Sequence, residues 1–497
     1  MVLLPQDGPY RPETAILELG GDFYDAVQAA DFPQAKLRFR NDRWAATVGL
    51  GGLSDVDWLR HFTRFEPLPD NLNEPLALRY HGHQFRVYNP DIGDGRGFLF
   101  AQLRDGAGRL MDLGTKGSGR TPYSRFGDGR LTLKGAVREL LATEMLEALG
   151  VETSKTFSIV ETGEALERND EPSPTRSAVL VRLSHGHIRI GSFQRLAALD
   201  QPDHLRKLTD YCLRHYFGEG RHRGDPGLDP GDEANRNGGA DESGLLPPAR
   251  GRGRNDGGHP AVRLLDQVAA GTAPLAASYI AAGFVHGVLN SDNINVTAES
   301  FDYGPWRWTP FWDGHFTAAY FDQGGLYSFG RQPEAIHWDL LQLARALAAI
   351  AEADDLNPIL ESFRNRFQLA LRGAILARLG LIPREPGEDL QLIAAIEEAL
   401  ARQTMTIDRF FFDWRGGRPA TVPDEFAELR ALIDAYEPVP GARAHPYWSD
   451  PEPCAMHIEE VEAIWSAIDR DDDWSPLHNK IAAIRRMGEA MRAGAGR

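Results

Sequence analysis

The stretch "TLKGAVRELLATEMLEALG" limits what this chain can fold into more than any other. Leu133, Val137, Leu140, Leu141, Met145 and Leu149 recur at three- and four-residue spacing, so one face of a helix is apolar and must be covered. Gly150 then stops the helix. Its neighbours are of another kind. Upstream, "LALRYHGHQF", "GFLFAQLRD" and "RLMDLGTKG" are short apolar runs separated by glycines, which read as strands and turns, and downstream "SAVLVRLS" returns to strand character. One strong helix among strands predicts a small β-rich unit packed on that helix.

The rest of the chain has a different texture. Residues 1–65 mix short apolar runs with Pro and Gly and read as an N-terminal extension, with a helix expected within "WAATVGLGGLSDVDWLRHF". Helices are expected over 197–217 and 260–282. Between them, 218–258 holds twelve glycines, a composition that cannot bury enough apolar surface to offset its ordering entropy, so a disordered insertion is expected there. After "HWDLLQLARALAAIAE" the pattern is amphipathic helix to the end, as in "QLIAAIEEAL", "EFAELRALIDAY" and "NKIAAIRRMGEAM". With 497 residues, 42% of them hydrophobic, the chain can bury a large core and exceeds the usual size of one domain.

Charge and cysteine content exclude several classes. The balance of 71 Asp and Glu against 54 Lys and Arg, a formal net charge of -17, argues against general nucleic-acid binding and against adhesion to an anionic membrane. No basic segment followed by an apolar core opens the chain, and no run of eighteen apolar residues occurs, so a soluble protein is expected. Cys212 and Cys454 lie far apart and outside any C-x-x-C spacing, which suggests neither a disulfide framework nor a zinc site, and points to the reducing cytoplasm.

Against that acidic background, "GTKGSGRTPYSRFGDGR" at 114–130 gathers five glycines and four cations, Lys116, Arg120, Arg125 and Arg130, with one acid, Asp128. Glycines let main-chain N–H groups approach an anion closely, and Lys and Arg supply the charge a polyphosphate demands. Alone, the stretch is equally a solvated surface loop. Its company argues for the phosphate cradle: "DIGDGRGF" places Gly93, Gly95 and Arg96 in another tight loop, and Arg182 and Arg189 in "VRLSHGHIRIG" flank an expected turn.

A second constellation lies in "FVHGVLNSDNINVTAESFDYGP". Asp292 and Asn293 precede an expected strand, and Asp302 follows it in "DYG", as at the two ends of a short hairpin. An Asn and an Asp so placed offer hard oxygen ligands to Mg²⁺ shared with substrate phosphates, leaving Asp292 as a base. An isolated Asp-Asn pair is more often a turn former. What favours chemistry is the order along the chain: a strand lysine (Lys116), a helix glutamate (Glu139), Asp and Asn in a loop, then Asp-aromatic-Gly.

That order resembles the protein-kinase fold, which implies an α+β, bilobal architecture: a β-rich N-lobe at 66–190, a helical C-lobe at 191–385 and an appended helical region at 386–497. The match is partial. No G-x-G-x-x-G precedes the lysine, no His-Arg-Asp triplet occurs, and "HGVLNSDN" puts Val288 where small-molecule kinases carry their catalytic aspartate.

A closer resemblance is to the selenoprotein O family of kinase-fold protein adenylyltransferases. It is carried by "GHQF", "GDGRG", "GTKGSGRTPYSRFGDGR", "REL", "VRLSHGHIRIG", "GFVHGVLNSDNINV" and "DYGP", from about residue 80 to 345. The resemblance implies that ATP binds inverted, and that AMP passes to a Ser, Thr or Tyr hydroxyl of a target protein; conventional phosphoryl transfer and a non-catalytic ATP-binding scaffold stand as the alternatives. It further implies nucleotide contacts from Gly93, Gly95, Arg96, Lys116, Asp128, Gly129, Arg182 and Arg189, with Glu139 orienting the lysine. Asp292 would accept the proton, and Asn293 and Asp302 would hold Mg²⁺, with Mn²⁺ as an alternative. Two features depart from the family pattern. Arg86 and Pro90 stand in the usual path of the first glycine-rich segment, and the chain ends "MRAGAGR" with Cys454 its last cysteine, so no redox switch is expected. The pairs His81/His83 and His185/His187 lack partners spaced to complete a zinc site and read as structural. The oligomeric state is open, a monomer being compatible with the sequence.

Overall fold

The computed structural model describes residues 7–125, 127–169, 171–219 and 258–493. The expected disordered insertion at 218–258 falls almost wholly outside them. Among the described residues thirteen strands are formed: β1 (Pro12–Glu13), β2 (Tyr24–Ala26), β3 (Lys36–Arg40), β4 (Leu76–Leu78), β5 (Gly82–Gln84), β6 (Val87–Asn89), β7 (Leu99–Arg104), β8 (Leu110–Lys116), β9 (Leu131–Thr132), β10 (Lys155–Leu166), β11 (Thr175–Ser184), β12 (Phe284–Val285) and β13 (Arg307–Trp308). The helices near them are α1 (Asp42–Thr47), α2 (Asp55–Phe62) and α3 (Leu133–Ala148). Then follow α4 (Ile190–Ala198), α5 (Pro202–His215), α6 (Pro260–Ala282), α7 (Gln332–Leu347) and α8 (Ala353–Leu379). The last are α9 (Pro386–Ala401), α10 (Ile407–Asp413), α11 (Ala427–Ile433), α12 (Ile458–Asp471) and α13 (Ser475–Arg492).

The fold is mixed α and β around one large antiparallel sheet, ordered β2-β4-β7-β8-β11-β10-β3, with β1 added on β7 and β9 on β11. Residues read as an N-terminal extension supply three of its strands, β1, β2 and β3, the last pairing with β10 through Phe39 opposite Ile159. Both faces of the sheet are covered, which explains the unbroken apolar run of β11. Ala178 and Leu180 enter the core with Leu140, Leu141 and Met145 of α3, whereas Val179, Val181 and Leu183 point to the other face, against Trp44, Trp58 and Phe62 of α1 and α2. Thr132 caps α3, its Oγ1 accepting the Gly135 N–H at 3.1 Å, and Gly150 leaves it at φ 83°. Beyond the sheet the chain is helical, with α6 packed on α7 and α8, and α13 on α3.

The segment between Asn293 and Asp302 is not a strand, as the sequence led one to expect. It is an irregular loop held by isolated bridges, Asn295 to Arg189 and Ser300 to Thr153. Its backbone bonds reach outward to residues 152–154 and 188–190, so no hairpin forms. No helix among the described residues is long and apolar enough to cross a membrane.

Candidate active site

Ten of the twelve residues singled out from the sequence line one cavity of about 590 Å³: Gly93, Gly95, Arg96, Lys116, Asp128, Gly129, Arg182, Arg189, Asp292 and Asp302. Glu139 lies behind Lys116, and Asn293 is outside the lining.

Strand register brings the first cations together. On the β8/β11 pair Lys116 faces Leu180 and Gly114 faces Arg182, so Lys116 and Arg182 rise from the same face of the sheet. Gly114 has no alternative here, because a Cβ would run into the His187 ring. Lys116, 6% exposed, contacts Glu139 Oε2 of α3 and Asp302 Oδ1, both at 2.5 Å. Arg182 Nη1 reaches Asp302 Oδ1 at 3.3 Å, while its Nε donates to His187 Nε2 at 3.2 Å. Arg189 precedes α4. Its Nη1 donates to the Asp292 carbonyl at 2.8 Å and to Asp302 Oδ2 at 3.3 Å, its Nη2 reaches Asp94 Oδ1 at 3.3 Å, and the guanidinium lies over Tyr80 and Phe301. Three cations thus converge on one carboxylate. Burial opposes ionisation of Asp302, yet Lys116, Arg182 and Arg189 hold it well below the ordinary carboxylate range.

The two GDGR loops form the opposite wall and are tied to each other. Thr121 Oγ1 donates to the Asp94 carbonyl and Ser124 Oγ to the Gly95 carbonyl, and the Tyr123 ring fills the space a Cβ on Gly93 would need. Gly129 has φ 69°, and a side chain there would collide with the Gly119 carbonyl. Asp128 is claimed by Arg168, whose Nη1 donates to its Oδ2 at 2.7 Å. The Arg168 charge and the Arg130 N–H keep this carboxyl low against the effect of burial.

Asp292 sits in a single 3-10 turn, Ser291–Asn293, pinned by its neighbours. Asn290 Oδ1 accepts from Phe85 N and Tyr327 Oη, and Ser291 Oγ donates to Gln194 Oε1 while accepting from His83 N. Gly82 allows this approach, since a Cβ there would come within 2.9 Å of Asp292 Oδ1. Asp292 is 7% exposed, and its Oδ1 has no hydrogen-bond partner among the described residues. Burial pushes its pKa up to about 6, against the pull of Arg189.

As possible metal ligands, Asn293 and Asp302 offer an amide oxygen and a carboxylate, the hard donors Mg²⁺ takes. The Asn293 Nδ2 donates to the Val288 carbonyl at 3.0 Å, a bond that leaves Oδ1 unused. The donor types fit. Each paired histidine has a structural hydrogen bond instead: His81 to Tyr88, His83 to Gln194, His185 to the Leu110 carbonyl, His187 to Arg182.

Sequence reasoning missed Asp94, Tyr80, Phe301 and Arg168. Asp94 was in plain view inside "GDGRG"; the two aromatic rings carried no signal, because their role is to lie under an arginine that comes from another part of the chain.

The family model described as Protein adenylyltransferase SelO matches residues 10–429. This chain belongs to that family. Among its relatives, the protein nucleotidyltransferase YdiU of Synechococcus elongatus is 38% identical, over 98% of this chain and 96% of its own length. The YdiU protein of Gloeobacter violaceus is 39% identical, over 95% of each chain. The Vibrio cholerae YdiU protein is 32% identical over 78% of this chain and 71% of its own.

Proposed function

We propose that this SelO-family protein is a nucleotidyltransferase that moves AMP from ATP to a Ser, Thr or Tyr hydroxyl of a protein acceptor and releases pyrophosphate, on a bilobal kinase-like scaffold. The observation that carries the reading is the convergence of Lys116, Arg182 and Arg189 within a cavity that also holds a buried carboxylate, Asp292, of raised pKa. In the inverted arrangement the three cations grip the β- and γ-phosphates, where negative charge develops as pyrophosphate leaves. Glu139 holds the Lys116 ammonium in place. The glycine loops supply backbone N–H groups. Asp292 Oδ1, free of other hydrogen bonds, accepts the proton of the acceptor hydroxyl. Asn293 and Asp302 would hold Mg²⁺, which supplies further charge neutralisation when bound.

Membership of the SelO family and likeness to the YdiU protein nucleotidyltransferases support nucleotidyl transfer to proteins. Asn293→Ala and Asp302→Ala should each remove Mg²⁺-dependent release of pyrophosphate from ATP while the protein stays folded. Full turnover in Asp302→Ala would take that residue out of the site.

A further inference from the structure

The alignment of Glu139 with Lys116 depends on how α3 is held, and α3 is gripped from behind by the two C-terminal helices. Glu144 lies five residues beyond Glu139, about 140° round the helix at 100° per residue. Its carboxylate is buried, at 4% exposure, and takes a two-pronged contact from Arg485 of α13, Nε at 2.8 Å and Nη2 at 2.7 Å. Such a fork fixes direction as well as distance. One turn further along each helix, Gly488 brings the α13 backbone against Ala148, where a Cβ would stand 3.2 Å from the Ala148 Cα. At the start of α3, Lys134 Nζ meets Glu462 of α12 at 2.7 Å. The turn between α12 and α13 is itself anchored to the sheet, because Asp472 accepts from Lys36 and Arg38 of β3 and from Arg176 of β11. None of these contacts reaches the cavity.

Lys116 has a second partner ready. Asp302 stands at 2.5 Å from its ammonium, as close as Glu139 does, so a roll of α3 that withdraws Glu139 leaves the amine with one carboxylate instead of two. We propose that α12 and α13 form a built-in brace for α3, with Arg485 the positioning residue that keeps Glu139 engaged with Lys116. The inference rests on the functional reading above only for its catalytic consequence. The mechanical claim stands on contacts alone.

The test compares wild type with Arg485→Glu, Arg485→Gln and Arg485→Lys, and with the charge-reversed pair Glu144→Arg/Arg485→Glu. Two quantities are read: kcat and KM for AMP transfer, and acylation of Lys116 by an amine-reactive reagent, followed by peptide mass spectrometry. Arg485→Glu should lower kcat about tenfold with the acceptor KM little changed, and should raise Lys116 acylation several-fold. Arg485→Lys, which keeps the charge without the fork, and the reversed pair, which sets an arginine at 144 near Arg43, should each recover part of both. If Arg485→Glu fails to fold, Arg485→Gln carries the same comparison in milder form. Folded Arg485→Gln and Arg485→Glu proteins with wild-type kcat and wild-type Lys116 acylation would overturn the brace. Absence of AMP transfer by the wild type would count against the functional reading, while the acylation arm would still decide the mechanical claim.

Discussion

At Asp292 the structure places a carboxylate where burial and a cation pull in opposite directions. Burial wins, and the group titrates near pH 6. The ionised form is the one that can accept a proton, so transfer should fall as pH drops through about 6 and level off above it. Asp292→Asn should cost about 10²–10⁴ in kcat and abolish this acid limb, which a pH series of initial rates measures directly. An unchanged limb in the Asn variant would assign it to another group. Lys116 gives a second residue-scale expectation. Replacing it with Met leaves the buried Glu139 carboxylate, 2% exposed, with Arg182 at 3.9 Å in place of a direct partner, and should cost about 3 kcal/mol of stability. Glu139→Gln combined with Lys116→Met should restore part of that stability and none of the activity, since the two losses act through one pair. Thermal melts of the single and double variants decide it. Of these residues, Lys116, Glu139 and Asp292 were legible in the sequence because each sits in a distinctive local string. Tyr80 and Phe301, whose rings both lie against the Arg189 guanidinium, were not, because an aromatic residue in a sequence does not declare which cation it will meet.

Elements divide in the same way. The period of α3 and its stop at Gly150 needed only local information, and the helix lies where the spacing placed it. Strands β7, β8 and β11 were readable as apolar runs for the same reason. The edge strand β3, "KLRFR", is mostly polar, and it exists because β10 offers it a row of backbone partners more than a hundred residues away. The loop after Asn293 fails in the opposite sense. "NINVTAES" has strand character, yet its bridging partners belong to other segments and it never pairs with itself. Among the loops, the glycine-rich one carries the sharpest expectation. Gly129→Ala should disturb the turn against Gly119 and weaken nucleotide binding at least about tenfold, because the residue holds φ 69° with no room for a methyl group. Calorimetric titration with a non-hydrolysable ATP analogue checks this, and wild-type affinity would show that the loop does not cradle phosphate.

Across the whole molecule, residues from 93 to 302 meet in one cavity because a single sheet orders the first part of the chain, and the 3-10 turn holding Asp292 and the loop ending at Asp302 come against its central strands β8 and β11. The motifs in sequence order conveyed that these residues belong together. They could not convey that strands from the first forty residues close the sheet, or that the last two helices lie along α3, since both depend on contacts between the distant ends of the chain. On the proposed function the nucleotide yields its α-phosphoryl side to protein. The measurement is transfer of label to acceptor protein from ATP labelled at either the α- or the γ-phosphate, with Mg²⁺, for wild type and Asp292→Asn. α-Label should appear on protein, γ-label should leave in pyrophosphate, and both events should be lost in Asp292→Asn; γ-label on protein without α-label would overturn AMP transfer and make the protein a phosphoryl-transferring kinase.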